Sequence, residues 1–186
     1  MSIADLLLMD MHNMETTKQN DMEIINLLKK EFEQETATTQ KFLPLVPLDQ
    51  ADWAPHEKSM RLGALATHLA EIAGWIHLAL TTEELDFAAK EYVATPIGDT
   101  TDLLALFQKG YNESLTELQK ADERDLTGRW ILRNGEQILA DYSKYEMIRH
   151  SFSQTAHHRA QLGVYFRLLN IPVPSSYGPS ADNYTF

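Results

Sequence analysis

The sequence predicts an all-α fold, an antiparallel four-helix bundle with a small β-hairpin before the last helix. Three observations point there. Four long stretches carry apolar residues at helical spacing, a single Asn-Gly pair sits between two short apolar runs, and no repeat or linker divides the 186 residues. That length suits one domain with its own core.

The segment Met1–Asn20 is a Met-rich N-terminal extension, suited to a short helix against the body or a partner. The bundle domain spans 21–186. Its first helix, from about Asp21 to Phe42, is amphipathic through Ile24, Leu27, Leu28 and Phe32, with Leu43 after it. Pro44 and Pro47 end it. Leu48–Lys58 is a structured connection, because Trp53 within it is an aromatic that packs inward. Ser59 is the predicted N-cap of a second helix reaching about Leu80, and Thr81–Gly98 is a connection. Asp99, Thr100 or Thr101 caps a third helix carrying Leu103, Leu104, Phe107, Tyr111, Leu115 and Leu118. Asn134-Gly135 between Trp130–Leu132 and Ile138-Leu139 reads as a hairpin turn, since both residues tolerate positive φ. The fourth and longest helix runs from about Ser143 to Asn170 and stops before Pro172.

Composition narrows the function. With 16 Lys+Arg against 27 Asp+Glu the formal charge is −11, which argues against nucleic-acid binding and against docking on an anionic membrane. No apolar run approaches the roughly 20 residues of a membrane span, and no secretory signal opens the chain. The expected location is cytoplasmic. There is no cysteine, so disulfides, thiolate metal sites and a cysteine nucleophile are excluded.

Histidine placement is the chemical signal. His68 lies in a stripe with Leu65, Ile72 and Trp75, which turns it toward the core side of the second helix. In the fourth helix the stripe reads Met147, Ser151, Gln154, His158, Leu162, Tyr165, Leu169. Gln154 and His158 are one turn apart, offset by about 40° and about 6 Å in rise. If the two helices face each other, His68, Gln154 and His158 converge. Spacing alone leaves two outcomes open, a metal site and a set of hydrogen-bonded core residues. His157 is about 100° round the helix from His158, as an alternative ligand, a supporting residue or a boundary residue. His150 lies about 12 Å along the axis from His158, too far to share one ion with it. His12, His56 and His77 read as structural or surface residues. The acidic residues Glu31, Glu33 and Glu35 alternate along the first helix and read as a solvated face. No glycine-rich phosphate loop and no Ser-His-Asp arrangement is evident.

Two runs carry a family resemblance. Trp53-Ala-Pro-His-Glu-Lys-Ser-Met60 followed by Leu65-Ala-Thr-His-Leu69 resembles the opening half of the DinB/YfiT-like superfamily. His157-His-Arg-Ala-Gln-Leu162, then Tyr165-Phe-Arg167, Val173-Pro174 and Tyr177-Gly-Pro-Ser180, is similar to its closing half. The resemblance covers about Asp21 to Asp182. It implies a bundle, commonly a homodimer, with zinc or nickel held by three histidines. It also implies a small-molecule substrate or low-molecular-weight thiol, in a metal-dependent transferase or hydrolase. His68 matches the first ligand and His158 the third, and Arg159 and Gln161 match supporting positions. The second ligand should stand four residues before His158, where this chain has Gln154, and Ala160 replaces the usual Gly. An amide oxygen is a poorer zinc ligand than imidazole, so Gln154 would make a weak third ligand, with His157 as the alternative. Two functional expectations follow: a metal-dependent transferase or hydrolase with a weakened site, or a binding or structural module of the same fold that has lost the metal. Without cysteine, any thiol must come from a cosubstrate, and Glu71, three residues after His68, is a candidate to orient an imidazole.

Overall fold

Local sequence fixes both ends of the longest helix. Ser143 and Glu146 form a reciprocal capping box at its start, with the Ser143 side chain accepting from the Glu146 N–H and the Glu146 carboxylate accepting from the Ser143 N–H. At its end Asn170 adopts φ 58° and the Ile171 N–H returns to the Phe166 carbonyl, just before Pro172. The computed structural model describes residues 23–89 and 93–184. Within them lie five α-helices: α1 (Ile24–Thr39), α2 (Leu62–Ile72), α3 (Trp75–Thr81), α4 (Thr100–Lys120) and α5 (Lys144–Leu168). Three short strands, β1 (Glu84–Asp86), β2 (Arg129–Asn134) and β3 (Gln137–Ser143), form one sheet. The fold is therefore helix-rich with a small sheet. The N-terminal extension lies outside the described residues. Among the described residues no helix is long and apolar enough to cross a membrane.

The helices pack as their apolar faces dictate. α2 and α3 each lie against both α4 and α5, and α1 also contacts α4 and α5. One core gathers Phe42, Leu43, Leu62, Leu65, Leu103 and Phe166, and a second gathers Ile25, Phe32, Ile76, Trp130, Ile148 and Phe152. In α1 the buried stripe is Ile25, Leu28, Phe32, Glu35, Thr36 and Thr39, while Ile24 and Leu27 stay exposed. The stripe is thus rotated from the predicted one, and it includes a carboxylate.

Three local features differ from the sequence reading. α2 starts at Leu62 rather than at a Ser59 cap. Its first amides are satisfied by the preceding connection, Leu62 N–H donating to the Trp53 carbonyl at 2.8 Å and Gly63 N–H to that of Ala51 at 2.9 Å. The predicted hairpin is present as β2–β3, but its loop is Gly135-Glu136 between paired Asn134 and Gln137, so only Gly135 takes positive φ, at 59°. The 81–98 connection adds β1, which pairs in parallel with β2, tied by the Arg133 guanidinium to Glu84 and Asp86.

A fourth difference organises the site. The predicted second helix breaks at Ala73-Gly74 into α2 and α3. Ser114 of α4 sits at the break, completely buried. Its hydroxyl donates to the Ala73 carbonyl at 2.6 Å and accepts the His77 N–H at 3.1 Å, so a side chain replaces bonds that a continuous helix would make. Gly110, one turn earlier on α4, lets the backbones touch. A Cβ there would come within 2.7 Å of the Gly74 nitrogen. Gly110→Ala is therefore expected to cost about 1–3 kcal/mol through overpacking. Ser114→Ala is expected to cost about 1–3 kcal/mol by leaving buried backbone groups unpaired. Urea denaturation midpoints measure both, and the double variant should lose less than the sum because both act on one contact. A Gly110→Ala midpoint equal to that of the parent would show that the helices need not approach so closely.

Candidate functional site

Consecutive residues of α5 point three ways. Arg159 is buried, at 2% exposure, against α1, where it pairs with Glu35 at 2.6 Å and donates to the Glu35 carbonyl and the Thr39 hydroxyl. The Tyr177 hydroxyl lies within hydrogen-bond distance of both Glu35 carboxylate oxygens and of Arg159, bringing the C-terminal segment into the same cluster. Residues next to one another on a helix are about 100° apart, so with Arg159 fixed toward α1, His158 faces α2.

There it meets His68. The two imidazoles lie 4.7 Å apart between centroids at 80°, and His157 is edge-on to His158 at 4.9 Å. Gln161, one turn on, holds His158: its Oε1 accepts from Nδ1 at 2.9 Å. An amide oxygen only accepts, so the proton sits on Nδ1 and the Nε2 lone pair is left for another partner. Burial pushes the pKa of both histidines below the ordinary value. For His68 the neighbouring His158 adds to this and Glu71 opposes it; for His158 the Gln161 bond opposes burial and His157 adds to it. Both imidazoles are accordingly held in the neutral form, able to accept a hydrogen bond, a proton or a metal.

Gln154 does not complete this pair with an oxygen. Its amide nitrogen is 3.4 Å from His150 Nε2, one turn back along α5. His150 in turn lies parallel to Trp75, 6.2 Å away at 7°, and stacks on Tyr142 at 5.5 Å. His68 also meets Trp75, edge-on at 5.5 Å. The rings His157, His158, His68, Trp75, His150 and Tyr142 thus form one connected row. Beside it opens a cavity of about 310 Å³ whose wall includes His68, Glu71, Trp75, Trp130, Tyr142 and His150.

The structure therefore brings together His68, His158 and His157, and engages Gln154 with His150. The three-imidazole centre implied by the resemblance is a poor fit to these donors. Among the described residues no group of three His, Asp or Glu side chains is gathered to hold an ion. His150 is the residue the sequence reading undervalued. Its distance from His158 along the helix was the wrong measure, because α3 and β3 bring aromatic rings to it; the available signal was Gln154 at i+4. Glu71 accepts a hydrogen bond from the Thr95 hydroxyl at 3.0 Å. Glu35, read as solvated, is buried with Arg159. His56 Nδ1 accepts from the Lys58 N–H, and His12 lies outside the described residues.

Comparison with known proteins gives a consistent picture of the fold. The DinB family model matches residues 14–185. A DinB-like protein from Bacillus cereus ATCC 10987 superposes with a TM-score of 0.62 at 19% identity, covering 82% of this chain and 97% of that one. Another, from Bacillus subtilis, superposes with a TM-score of 0.61 at 16% identity, covering 81% of this chain and 97% of that one. At such identities the likeness concerns the fold. No curated protein matches the chain.

The depressed pKa values of His68, His150 and His158 make stability depend on pH. Below the unperturbed value near 6.5 the unfolded chain takes up protons that the folded chain refuses, so acid favours unfolding. The contribution is complete above pH 6.5 and is lost as pH falls through the lower folded values. Urea midpoints should be flat from pH 8 to 7 and fall between pH 6.5 and 5, with a shallower fall in His158→Gln. An unchanged slope in that variant would show that His158 is charged in the folded state.

Proposed function

The chain belongs to the DinB family, and from that premise we propose that it binds a small molecule in the cavity beside His68. In this reading His68 and His158 act as neutral hydrogen-bonding and proton-accepting groups rather than as part of a metal centre. The observation that carries it is Gln154, which stands where the resemblance implies a ligand imidazole and whose amide is engaged with His150. His68 lines the cavity and would serve there as general base for a bound molecule, a role a neutral imidazole fills near pH 7, while His158, its Nδ1–H committed to Gln161, packs edge-on against it. α1, the broken α2–α3 unit, α4 and α5 would be the four members of an antiparallel bundle.

A second reading is favoured by the His68–His158 contact itself. Two neutral imidazoles this close are the start of a zinc or nickel site, and the protein would then be a metal-dependent transferase or hydrolase acting with a thiol cosubstrate or water. Metal titration separates the two. The parent protein, prepared without a His tag, should hold zinc in less than stoichiometric amount. Gln154→His should bind it at least tenfold more tightly, about 1.4 kcal/mol, and the gain should vanish when His158→Ala is added. Stoichiometric zinc in the parent that survives dialysis against a chelator would establish the second reading.

Family bundles are commonly dimeric, and Val164 and Leu168 present an exposed apolar pair one turn apart on α5. A homodimer is the expected assembly. Light scattering at micromolar concentration should give twice the chain mass, and a single-chain mass would refute it.

A further inference from the structure

The cavity beside His68, about 310 Å³ and so at the small end of ligand sites, has two chemically different sides. One is the small sheet. Leu85 pairs with Leu132 and Trp130 with Tyr142, so these four residues share one face. Phe87, two residues after Leu85, extends that face, its N–H donating to the Arg133 carbonyl at 3.0 Å. All five line the cavity. The charged residues of the same strands alternate with them and pair among themselves, Arg133 with Glu84 and Asp86, and Arg129 with Asp141. The face turned to the cavity is therefore apolar apart from the Tyr142 hydroxyl, and its one indole N–H, from Trp130, donates to the Thr82 hydroxyl at 3.0 Å. The other side is helical. The imidazoles and the carboxylate of the described wall, His68, Glu71 and His150, all come from α2 and α5, and every other described wall residue is aliphatic, aromatic or Met. His150 Nε2 faces the Gln154 amide at 3.4 Å, and Glu71 accepts from the Thr95 hydroxyl. His68 is thus the imidazole through which an occupant can be hydrogen-bonded. A molecule polar along its whole length would lose water against the sheet face without replacement partners, whereas an apolar body is favoured there by its own burial.

Building on the proposed small-molecule function, we propose that the occupant is a small amphiphile, with an apolar body against the Leu85–Leu132–Trp130 face of the sheet and a single hydrogen-bonding end at His68. Titration of the full chain, followed by chemical shifts, tests this with three probes built on one six-membered ring: cyclohexanol (one hydroxyl), myo-inositol (a hydroxyl on every carbon) and cyclohexane (none). Cyclohexanol should bind roughly tenfold or more tightly than myo-inositol. His68→Leu should weaken cyclohexanol roughly threefold or more, the share of one hydrogen bond, without weakening cyclohexane. His68→Met serves the same purpose if His68→Leu fails to fold, as judged by circular dichroism. Leu132→Trp, which fills the cavity from β2, should weaken cyclohexanol roughly tenfold or more. Leu85→Phe fills it from β1 and replaces Leu132→Trp on the same criterion.

Binding of myo-inositol as tight as that of cyclohexanol would overturn the apolar body. If the filling variant still removed that binding, the small-molecule function would stand. Equal weakening of cyclohexanol and cyclohexane by the His68 variant, or weakening of neither, would overturn the polar end at His68. Cyclohexanol binding untouched by either filling variant would overturn the placement in this cavity. Failure of cyclohexanol to bind at millimolar concentration would overturn the amphiphile. A thermal-shift panel of amino acids, thiols and sugar phosphates on the parent and the filling variant would then decide the binding reading itself: stabilisation of the parent alone keeps it, and stabilisation of neither sinks it.

Discussion

The close approach of Gly74 to Gly110, with Ser114 bridging the broken backbone, is the constraint on which the site depends. A continuous helix from Leu62 to Thr81 would carry Trp75 onward at helical spacing from His68. The break instead restarts the helix at Trp75. Trp75 then contacts both His68 and His150, residues from two different helices. A helix break in a core normally leaves unpaired amide and carbonyl groups, and each costs free energy when buried. One serine hydroxyl answers both a donor and an acceptor here, and the glycines remove the side chains that would hold it away.

A second constraint sets the rotation of α5. The Arg159–Glu35 pair is deeply buried, and removing one partner of such a pair strands the other charge in a low-dielectric interior. Tyr177 and Thr39 supply further hydrogen bonds, which is what a buried guanidinium needs to be tolerated. The pair contributes orientation. With Arg159 held toward α1, the next residue back is aimed at α2, and the imidazole contact between His158 and His68 follows from helix geometry. The charged cluster is thus remote from the cavity while still deciding which residue of α5 meets His68.

Much of this was legible in the sequence wherever the signal was local. The start of the last helix near Ser143, the stop before Pro172, the Asn-Gly hairpin and the inward placement of His68 and His158 all follow from short-range patterns. What was not legible depended on partners far along the chain. The α2–α3 break is specified in part by Gly110 and Ser114, more than 30 residues downstream, so an unbroken helix was the reasonable reading. Glu35 looks solvated beside Glu31 and Glu33 until Arg159 is brought to it. β1 is three residues of a connection and becomes a strand only because β2 is there to pair with it. His150 was discounted on its distance from His158 along one helix, a measure blind to rings arriving from α3 and β3.

Gln154 does more than stand where the resemblance implies a ligand imidazole. An imidazole at this position could coordinate an ion beside His158, whereas the amide reaches back to His150 and holds its ring edge. That ring stacks with both Trp75 and Tyr142, so the Gln154 side chain is tied to the aromatic row. A bound divalent ion would attract anions and lower the pKa of a thiol or water. The neutral imidazoles of His68 and His158, without an ion, would instead offer hydrogen-bond acceptors.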